Sequence, residues 1–230
     1  IIIDASDGNP FLVEEVLAHL ERTGAIVAGD SASETPGGDL GVPPSIALAV
    51  ARVLESLSPE ACHAIRLGAV AGRTFEASVL GAALTREVAR ELAGPAAGEL
   101  VTPAGANTWS FRHDLLREAV LSRIEPAVLI ESHALLATAI ESDTGRGPGS
   151  ARFAALAHHR FYAGQYAGAA EAALAASTSA SAAFAPEDAV AFARSALAAA
   201  ERIDAGDPEA AGLQRDALAR LADAQLDAGH

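Results

Sequence analysis

Residues 99–116 have the sequence ELVTPAGANTWSFRHDLL, which contains the clearest β-hairpin signal in this chain. Residues 99–101 and 109–111 predict two short strands, because β-favouring residues such as Val, Trp and Phe are concentrated there. The Gly- and Pro-containing segment at 102–108 predicts the turn that joins them. A helix is then expected to begin at about Asp114. One small β-hairpin is therefore expected in the fold.

The sequence before the hairpin predicts helices rather than further strands. Ser58-Pro59-Glu60 is a strong signal for a helix start, and Gly72 is a suitable end for that helix. Several short helices followed by a hairpin is the order of elements in a winged-helix domain. We place this domain at roughly 45–125, within a winged-helix-like region that includes the following helices to 141. The helices expected before the hairpin cover about 45–57, 59–71, 75–84 and 85–92.

The second half of the chain predicts packed helical hairpins. Residues 142–150 contain three Gly and one Pro and form the clearest linker. Residues 151–230 are dominated by Ala, with turns expected at Gly164, at Pro186 and at 205–208. Small residues at helical spacing let neighbouring helices approach closely, as stacked hairpins of the tetratricopeptide (TPR) type require. The predicted fold class is mainly α.

The first 44 residues predict one helix and a linker. Asn9 as the cap and Pro10 at the first helical position mark a helix start, and Gly24 is expected to end it. Residues 28–44 are rich in Gly, Ser, Asp and Pro, which is typical of a linker. Because the chain has no Met and opens on three Ile residues, we expect it to be a piece of a larger protein.

Composition and charge limit the partners of this segment. The net charge is −14, and all 16 positive charges are Arg. This balance disfavours direct binding to DNA or RNA. The single cysteine, Cys62, rules out an internal disulfide and fits a reducing cytoplasm. No apolar stretch is long enough to cross a membrane and no signal peptide is apparent, so we expect a cytoplasmic protein without a membrane partner.

Asp7-Gly8-Asn9-Pro10-Phe11 resembles the Gly-x-Pro segment of signal-transduction ATPases with numerous domains, the STAND class. The closest subgroup is the large ATP-binding regulators that carry a LuxR-type DNA-binding end. In that family the segment begins the helical lid after the nucleotide-binding core, and its Pro packs on the adenine. The resemblance implies that Gly8, Asn9 and Pro10 lie at the nucleotide, and that residues 1–27 are the end of the ATPase core and the lid. The alternative is a capped helix start with no ligand.

Arg112-His113-Asp114 is the second segment that carries the resemblance. In the same family a His-Asp pair at the end of the winged-helix domain reaches the bound ADP, and its His contacts the β-phosphate. The resemblance implies that His113 and Asp114 sense the nucleotide, with Arg112 in a lesser supporting place. The alternative is that these residues merely cap the helix after the hairpin. Val42-Pro43-Pro44-Ser45 is also similar to the turn through which the relatives enter the winged-helix domain.

The resemblance implies the regulatory portion of a nucleotide-switched bacterial ATPase, most closely a LuxR-family transcriptional regulator. ATP or ADP would be shared with a missing N-terminal ATPase core. The helical repeats would bind an inducer or a protein partner, the active form would self-assemble, and DNA would be bound only through a separate domain. Two alternatives stay open: the same region of an adenylate cyclase or kinase, and a nucleotide-independent helical scaffold for protein partners.

No catalytic or metal site is expected in the segment itself. A Walker A motif requires a Lys, which the chain lacks, so this segment is not expected to hydrolyse ATP although its parent is an ATPase. His158 and His159 are adjacent and would point about 100° apart on a helix, which argues against a shared metal ion. Cys62-His63 has the same geometry, and a cysteine nucleophile is not expected there.

Overall fold

The computed structural model describes residues 42–143, 149–204 and 206–229. The described chain is mainly helical with one small antiparallel sheet, which confirms the predicted fold class. The helices are α1 (Pro44–Ser56), α2 (Pro59–Ala71), α3 (Ala77–Leu84), α4 (Ala89–Leu92), α5 (Asp114–Leu121), α6 (Pro126–Ser142), α7 (Ser150–Tyr162), α8 (Tyr166–Ala182), α9 (Pro186–Ala200) and α10 (Ala210–Asp227). The strands are β1 (Thr74–Glu76), β2 (Val101–Pro103) and β3 (Thr108–Phe111), and a 3₁₀ helix covers Ala97–Glu99.

The chain divides into two compact units between Glu125 and Pro126. Helix α6 therefore belongs with the helices that follow it, whereas the sequence grouped it with the winged-helix region up to residue 141. The physical reason is that α6 packs against the next helix, α7. The helix and linker expected within residues 1–41 lie outside the described residues.

Two local signals define the central helix of the first unit. The Ser58 hydroxyl accepts a hydrogen bond from the Ala61 amide at 3.1 Å and so caps the start of α2, as the sequence predicts. Gly72 ends α2 with a φ of +143°, a conformation that L side chains rarely adopt. Between these ends α2 buries residues on almost every face, and α4, α5 and β1 pack around it.

The predicted hairpin is present, but the sheet has a third strand that the sequence did not predict. The strand order is β1-β3-β2, with both pairs antiparallel. Phe75 was expected at the start of a helix. Instead it pairs with Trp109 across the sheet, because residues 74–76 meet β3 more than 30 positions along the chain. Residues 99 and 100 were also assigned wrongly to a strand, since a 3₁₀ turn delays β2 to Val101.

A small residue on α2 creates the space that the sheet fills. A Cβ atom added at Gly68 would lie 2.8 Å from Cζ of Phe75, so the phenyl ring occupies the place of the missing side chain. The same ring lies 5.8 Å from the ring of Phe111, centroid to centroid, in a tilted arrangement. This contact fixes the sheet against α2, directly beside the end of β3.

The hairpin turn is held by one side chain. The Asn107 carboxamide accepts a hydrogen bond from the Ser78 amide at 3.1 Å and donates one to the Ser78 hydroxyl at 2.6 Å. The backbone carbonyl of Asn107 also accepts from the Ala77 amide at 2.9 Å. The small residues of this turn therefore allow a close approach to the start of α3.

The second unit is a series of Ala-rich helices in which each helix packs against the next in the chain. One buried cluster draws on all five helices and consists mostly of Ala: Ala137, Leu156, Ala157, Ala172, Ala173, Ala196 and Ala217. Gly164 supplies the predicted turn before α8 with a φ of +76°, and Pro186 begins α9. Consecutive helices therefore pack as hairpins, and their likeness to TPR repeats stays a prediction.

Polar groups join α8, α9 and α10 inside this apolar interface. The fully buried Ser177 hydroxyl donates to the Ala189 carbonyl at 2.8 Å. The Arg220 guanidinium donates to the Ser177 hydroxyl at 2.8 Å, and it also bonds to Ser181. Of the helices that the structure describes, none has both the length and the apolar character that a membrane crossing requires.

Candidate functional site

The junction of β3 and α5 carries the predicted phosphate-sensing residues. Phe111 ends β3 as a buried residue, and its amide donates to the Arg73 carbonyl at 2.8 Å. The next amide, of Arg112, donates to the Leu100 carbonyl at 2.9 Å. The backbone at this junction is therefore fixed on both sides before the helix begins.

Arg112 contacts the protein rather than projecting freely. Its Nε donates to the Gly98 carbonyl at 2.7 Å, beside the 3₁₀ helix. The residue itself is exposed. A guanidinium has several further N–H donors, so this bond positions Arg112 without using all of them.

His113 precedes the first residue of α5 and has extended backbone angles, φ −144° and ψ 146°. Its side chain makes no capping hydrogen bond to the helix. Its Nδ1 atom is buried and has no hydrogen-bond partner among the described residues. A buried nitrogen of this kind costs about 1–3 kcal/mol unless another group satisfies it. The capping alternative therefore does not account for the His113 side chain.

Asp114 and Arg117 connect the start of α5 to the last turn of α2 and to Arg73, which follows that helix. The Asp114 carboxylate forms an ion pair with Arg73 at 3.3 Å, with both side chains partly exposed. The Arg117 Nε donates to the Ala69 carbonyl at 2.8 Å, in the last turn of α2. The α5 N-terminus is thus held in place by α2, whereas His113 Nδ1 is not used in this attachment.

The structure brings three of the six predicted nucleotide-site residues together. Arg112, His113 and Asp114 are consecutive and occupy one junction. Gly8, Asn9 and Pro10 lie outside the described residues, and their place at the nucleotide stays a prediction.

A cluster of three histidine side chains lies in the second unit. His133 comes from α6, and His158 and His159 come from α7. One nitrogen of each imidazole lies within 4.8 Å of the corresponding nitrogens of the other two. The Nδ1 atoms of His133 and His159 are 2.9 Å apart, a hydrogen-bond distance at which one nitrogen donates and the other accepts. His133 and His159 are buried, whereas His158 is exposed.

Burial controls the protonation of His159. Desolvation by burial, together with smaller contributions from the neighbouring His133 and His158, lowers the pKa of His159 from 6.5 to about 3. The ring is therefore neutral at physiological pH. A neutral imidazole retains a lone pair that can accept a hydrogen bond or ligate a metal.

His158 and His159 were expected to point too far apart on one helix to share a ligand, and the facing helix changes this geometry. Adjacent helical residues do diverge, but α6 and α7 form a hairpin, and His133 meets both rings from the facing helix. The sequence did contain a signal for the pairing of His133 with His159. Each lies thirteen residues from position 146, the middle of the predicted linker at 142–150. Residues at equal distances from a hairpin loop lie opposite one another.

A cavity of about 250 Å³ adjoins the histidine cluster. His158 and Tyr162 of α7 line one side, and Ala169, Ser195 and Ala198 line others. The lining is mainly apolar, which suits part of a small organic molecule or an apolar side chain.

Comparisons with models of protein families, with curated proteins and with solved structures found no match to this chain.

Proposed function

We propose that this chain is the regulatory portion of a nucleotide-switched bacterial ATPase of the STAND class, a LuxR-family transcriptional regulator. In this proposal the winged-helix region distinguishes bound ADP from ATP, and the helical hairpins receive an inducer or a protein partner. The observation that carries the proposal is the buried Nδ1 of His113, which has no partner among the described residues.

The chemistry of the β3–α5 junction fits a phosphate. The amide groups at a helix start and the positive end of the helix dipole favour an anion, and an imidazole N–H adds a directed donor. His113 stands at this place without capping the helix itself. An ADP phosphate near His113 would satisfy the buried nitrogen and remove its desolvation cost.

The attachments of α5 explain how such a contact would be transmitted. The Arg117–Ala69 bond connects the helix start to α2, and the Asp114–Arg73 pair connects it to the segment just after α2. In the ADP state, His113 would hold the winged-helix region against the ATPase core. In the ATP state the contact would be lost, and the active form would assemble. A ligand shifts such an equilibrium only by its difference in affinity for the two states, which the His113 contact would supply.

The second unit offers a place for the inducer. The cavity beside His158 and Tyr162 is large enough for part of a small molecule. Arg112 and Arg117 are engaged by backbone carbonyls, which supports the expectation that DNA is bound only through a separate domain. A cytoplasmic location belongs to the same proposal. An adenylate cyclase or kinase parent would use the same junction with a different output domain.

The test uses the complete protein encoded by the reading frame that contains this chain. A Walker A motif upstream is the first expected result. His113→Ala should then weaken ADP binding about 10- to 100-fold, as expected for the loss of one hydrogen bond to a charged group, and should change ATP affinity less. Competition with a fluorescent ADP analogue measures both affinities. His63→Ala, at an exposed position on α2, is the matched control.

The stability of this chain separates a sensing role from a structural one. His113→Ala breaks no hydrogen bond of Nδ1, and relief of the desolvation cost opposes the loss of ring packing, so the free energy of unfolding should change by less than about 1 kcal/mol. The fluorescence of Trp109, the only Trp, reports on the first unit. Unchanged nucleotide preference in the variant, or no ATPase core in the reading frame, would favour the helical scaffold instead.

A further inference from the structure

The histidine cluster joins two helices through three imidazoles. His133 lies on α6, and His158 and His159 lie on α7, so the cluster spans the first hairpin of the second unit. The distances between ring centroids are 5.7 Å for His133 and His158, 5.1 Å for His133 and His159, and 5.2 Å for the adjacent pair. Each ring is thus close to both of the others.

The spacing of the nitrogens is close to that of a metal site. A tetrahedral ion with Zn–N bonds of about 2.0–2.1 Å places its ligand nitrogens about 3.3–3.4 Å apart. The His133 and His159 nitrogens are closer than this, at 2.9 Å, and all three ligand atoms lie within 4.8 Å. Small side-chain rotations that move the nitrogens by about one ångström or less would bring all three nitrogen–nitrogen distances to the value of a tetrahedral site.

Packing alone does not require three histidines at this place. Tyr162 stacks on His133 at 5.2 Å and lies 4.8 Å from His158, so the group forms an aromatic cluster. Phenyl rings would make the same stacking contacts without desolvating a polar ring such as His159. Imidazole differs from phenyl in its lone pair, which is the property that a metal ion uses.

The cluster is open on one side. His158 is exposed, and it also lines the cavity of about 250 Å³ beside Tyr162. An ion can therefore enter from solvent, and a fourth ligand can reach it from the cavity. Three His ligands with an accessible fourth position is the arrangement of His₃ zinc sites.

We propose that His133, His158 and His159 form a binding site for a divalent transition metal, with Zn²⁺ as the ion that the site fits best. Imidazole ligands suit Zn²⁺, Cu²⁺ and Ni²⁺, whereas Mg²⁺ and Ca²⁺ require oxygen ligands. This site goes beyond the proposed nucleotide switch and does not depend on it, since its residues belong to the other compact unit.

Metal binding would stabilise the α6–α7 hairpin. Because one ligand comes from α6 and two come from α7, the ion would crosslink these two helices. An ion that binds the folded chain and not the unfolded one stabilises the fold in proportion to the logarithm of its concentration.

The test is a Zn²⁺ titration of the untagged chain after chelator treatment, with binding measured by isothermal titration calorimetry. The expected result is one ion per chain and a higher melting temperature, reversed by EDTA. His158→Ala should lower the affinity about 100-fold or more, since the loss of even an outer-shell partner costs about 10- to 100-fold. His158 is exposed, so this variant is expected to fold; far-UV circular dichroism checks it. Replacement of Zn²⁺ by Co²⁺ should give the absorption bands of a tetrahedral ion, weakened in the same variant.

Two controls distinguish the site from other ligands in the chain. His63→Ala and Cys62→Ser remove the adjacent pair on α2 and should leave Zn²⁺ affinity unchanged. His133→Gln should weaken Zn²⁺ binding as His158→Ala does, because each of these residues supplies one ligand nitrogen. The two residues lie on different helices, so equal losses would show that the ion bridges α6 and α7. If no Zn²⁺ binds, or if His158→Ala binds it as tightly as the unchanged chain, the proposal is overturned. Affinity lost in Cys62→Ser instead identifies an adventitious ion only.

Discussion

At the residue scale, His113 and His159 show two different environments of a buried imidazole nitrogen. His113 Nδ1 is buried beside a helix start and has no partner among the described residues. His159 Nδ1 is buried and hydrogen-bonded to another imidazole. The first environment leaves a donor or acceptor available to a ligand, whereas the second depends on an uncharged ring. The local surroundings, rather than the residue type, decide what each histidine can do.

The protonation of His159 predicts an acid sensitivity of the second unit. As pH falls below 6.5, the unfolded chain gains a proton on His159, but the folded chain does not until about pH 3. Stability is therefore full above about pH 6.5 and decreases as pH falls, by up to about 1.4 kcal/mol per pH unit. Urea unfolding followed by far-UV circular dichroism, in EDTA, should show a loss of about 1 kcal/mol between pH 7.5 and pH 5.5.

The control for this prediction is His159→Leu. Its stability should change less over the same pH range, because the leucine cannot be protonated. His133 and His158 remain in both proteins and face the same position, so the comparison isolates residue 159. Parallel pH profiles for the two proteins would contradict the assignment.

At the scale of elements, the first unit depends on the fit between α2 and the sheet. The Phe75 ring occupies the space above Gly68, and Phe75 is only 4% exposed. Its neighbour Phe111 leads directly into the β3–α5 junction. The position of His113 is therefore connected to the packing of α2 through one aromatic pair.

Substitution of Gly68 tests this fit. Gly68→Ala places a Cβ atom 2.8 Å from the phenyl ring, and overpacking of this kind should exceed the gain in helix propensity. We expect the free energy of unfolding, measured by Trp109 fluorescence in urea, to fall by about 1–2 kcal/mol. The matched control is Gly98→Ala, where an added Cβ meets nothing within 4 Å. This substitution should leave the free energy of unfolding nearly unchanged. In the double variant Gly68→Ala, Phe75→Leu, the smaller side chain should restore part of the lost stability. Equal effects of Gly68→Ala and Gly98→Ala would refute the packing argument.

Local signals in the sequence predicted the elements that local forces form. The Ser58 cap, the Gly72 end of α2, the Gly164 turn and the hairpin were all predictable from nearby residues. Strand β1 was not, because three residues are too few for a periodic signal and the pairing partner is distant in the chain. The histidine cluster was missed for the same reason, since His133 and His159 meet only when the α6–α7 hairpin forms.

At the scale of the whole molecule, each compact unit has a core of its own. Large side chains such as Phe111, Ile65 and Leu80 are fully buried in the first unit. The second unit relies on small side chains instead, and its buried clusters are mostly Ala. Small side chains bury little area each, so close approach of many helices must compensate.

A fragment of residues 126–229 should therefore fold by itself. It contains complete helices α6 to α10 and the clusters between them. We expect a helical circular dichroism spectrum and a cooperative thermal transition. The same fragment with Ala173→Asp, which buries an unpaired charge, is the control that should fail to fold. A fragment that is unfolded without residues 42–125 would contradict the division at Pro126.

The bonds of Ser177 and Arg220 have a consequence for how these helices are aligned. Surfaces made of Ala are nearly smooth, so a helix displaced along its neighbour by one turn would meet a similar surface and lose little contact. A buried polar group does not tolerate such a slip, because it would leave its partner behind. The bonds from Ser177 to α9 and from Arg220 to α8 therefore fix the longitudinal register of three helices whose apolar surfaces leave it open.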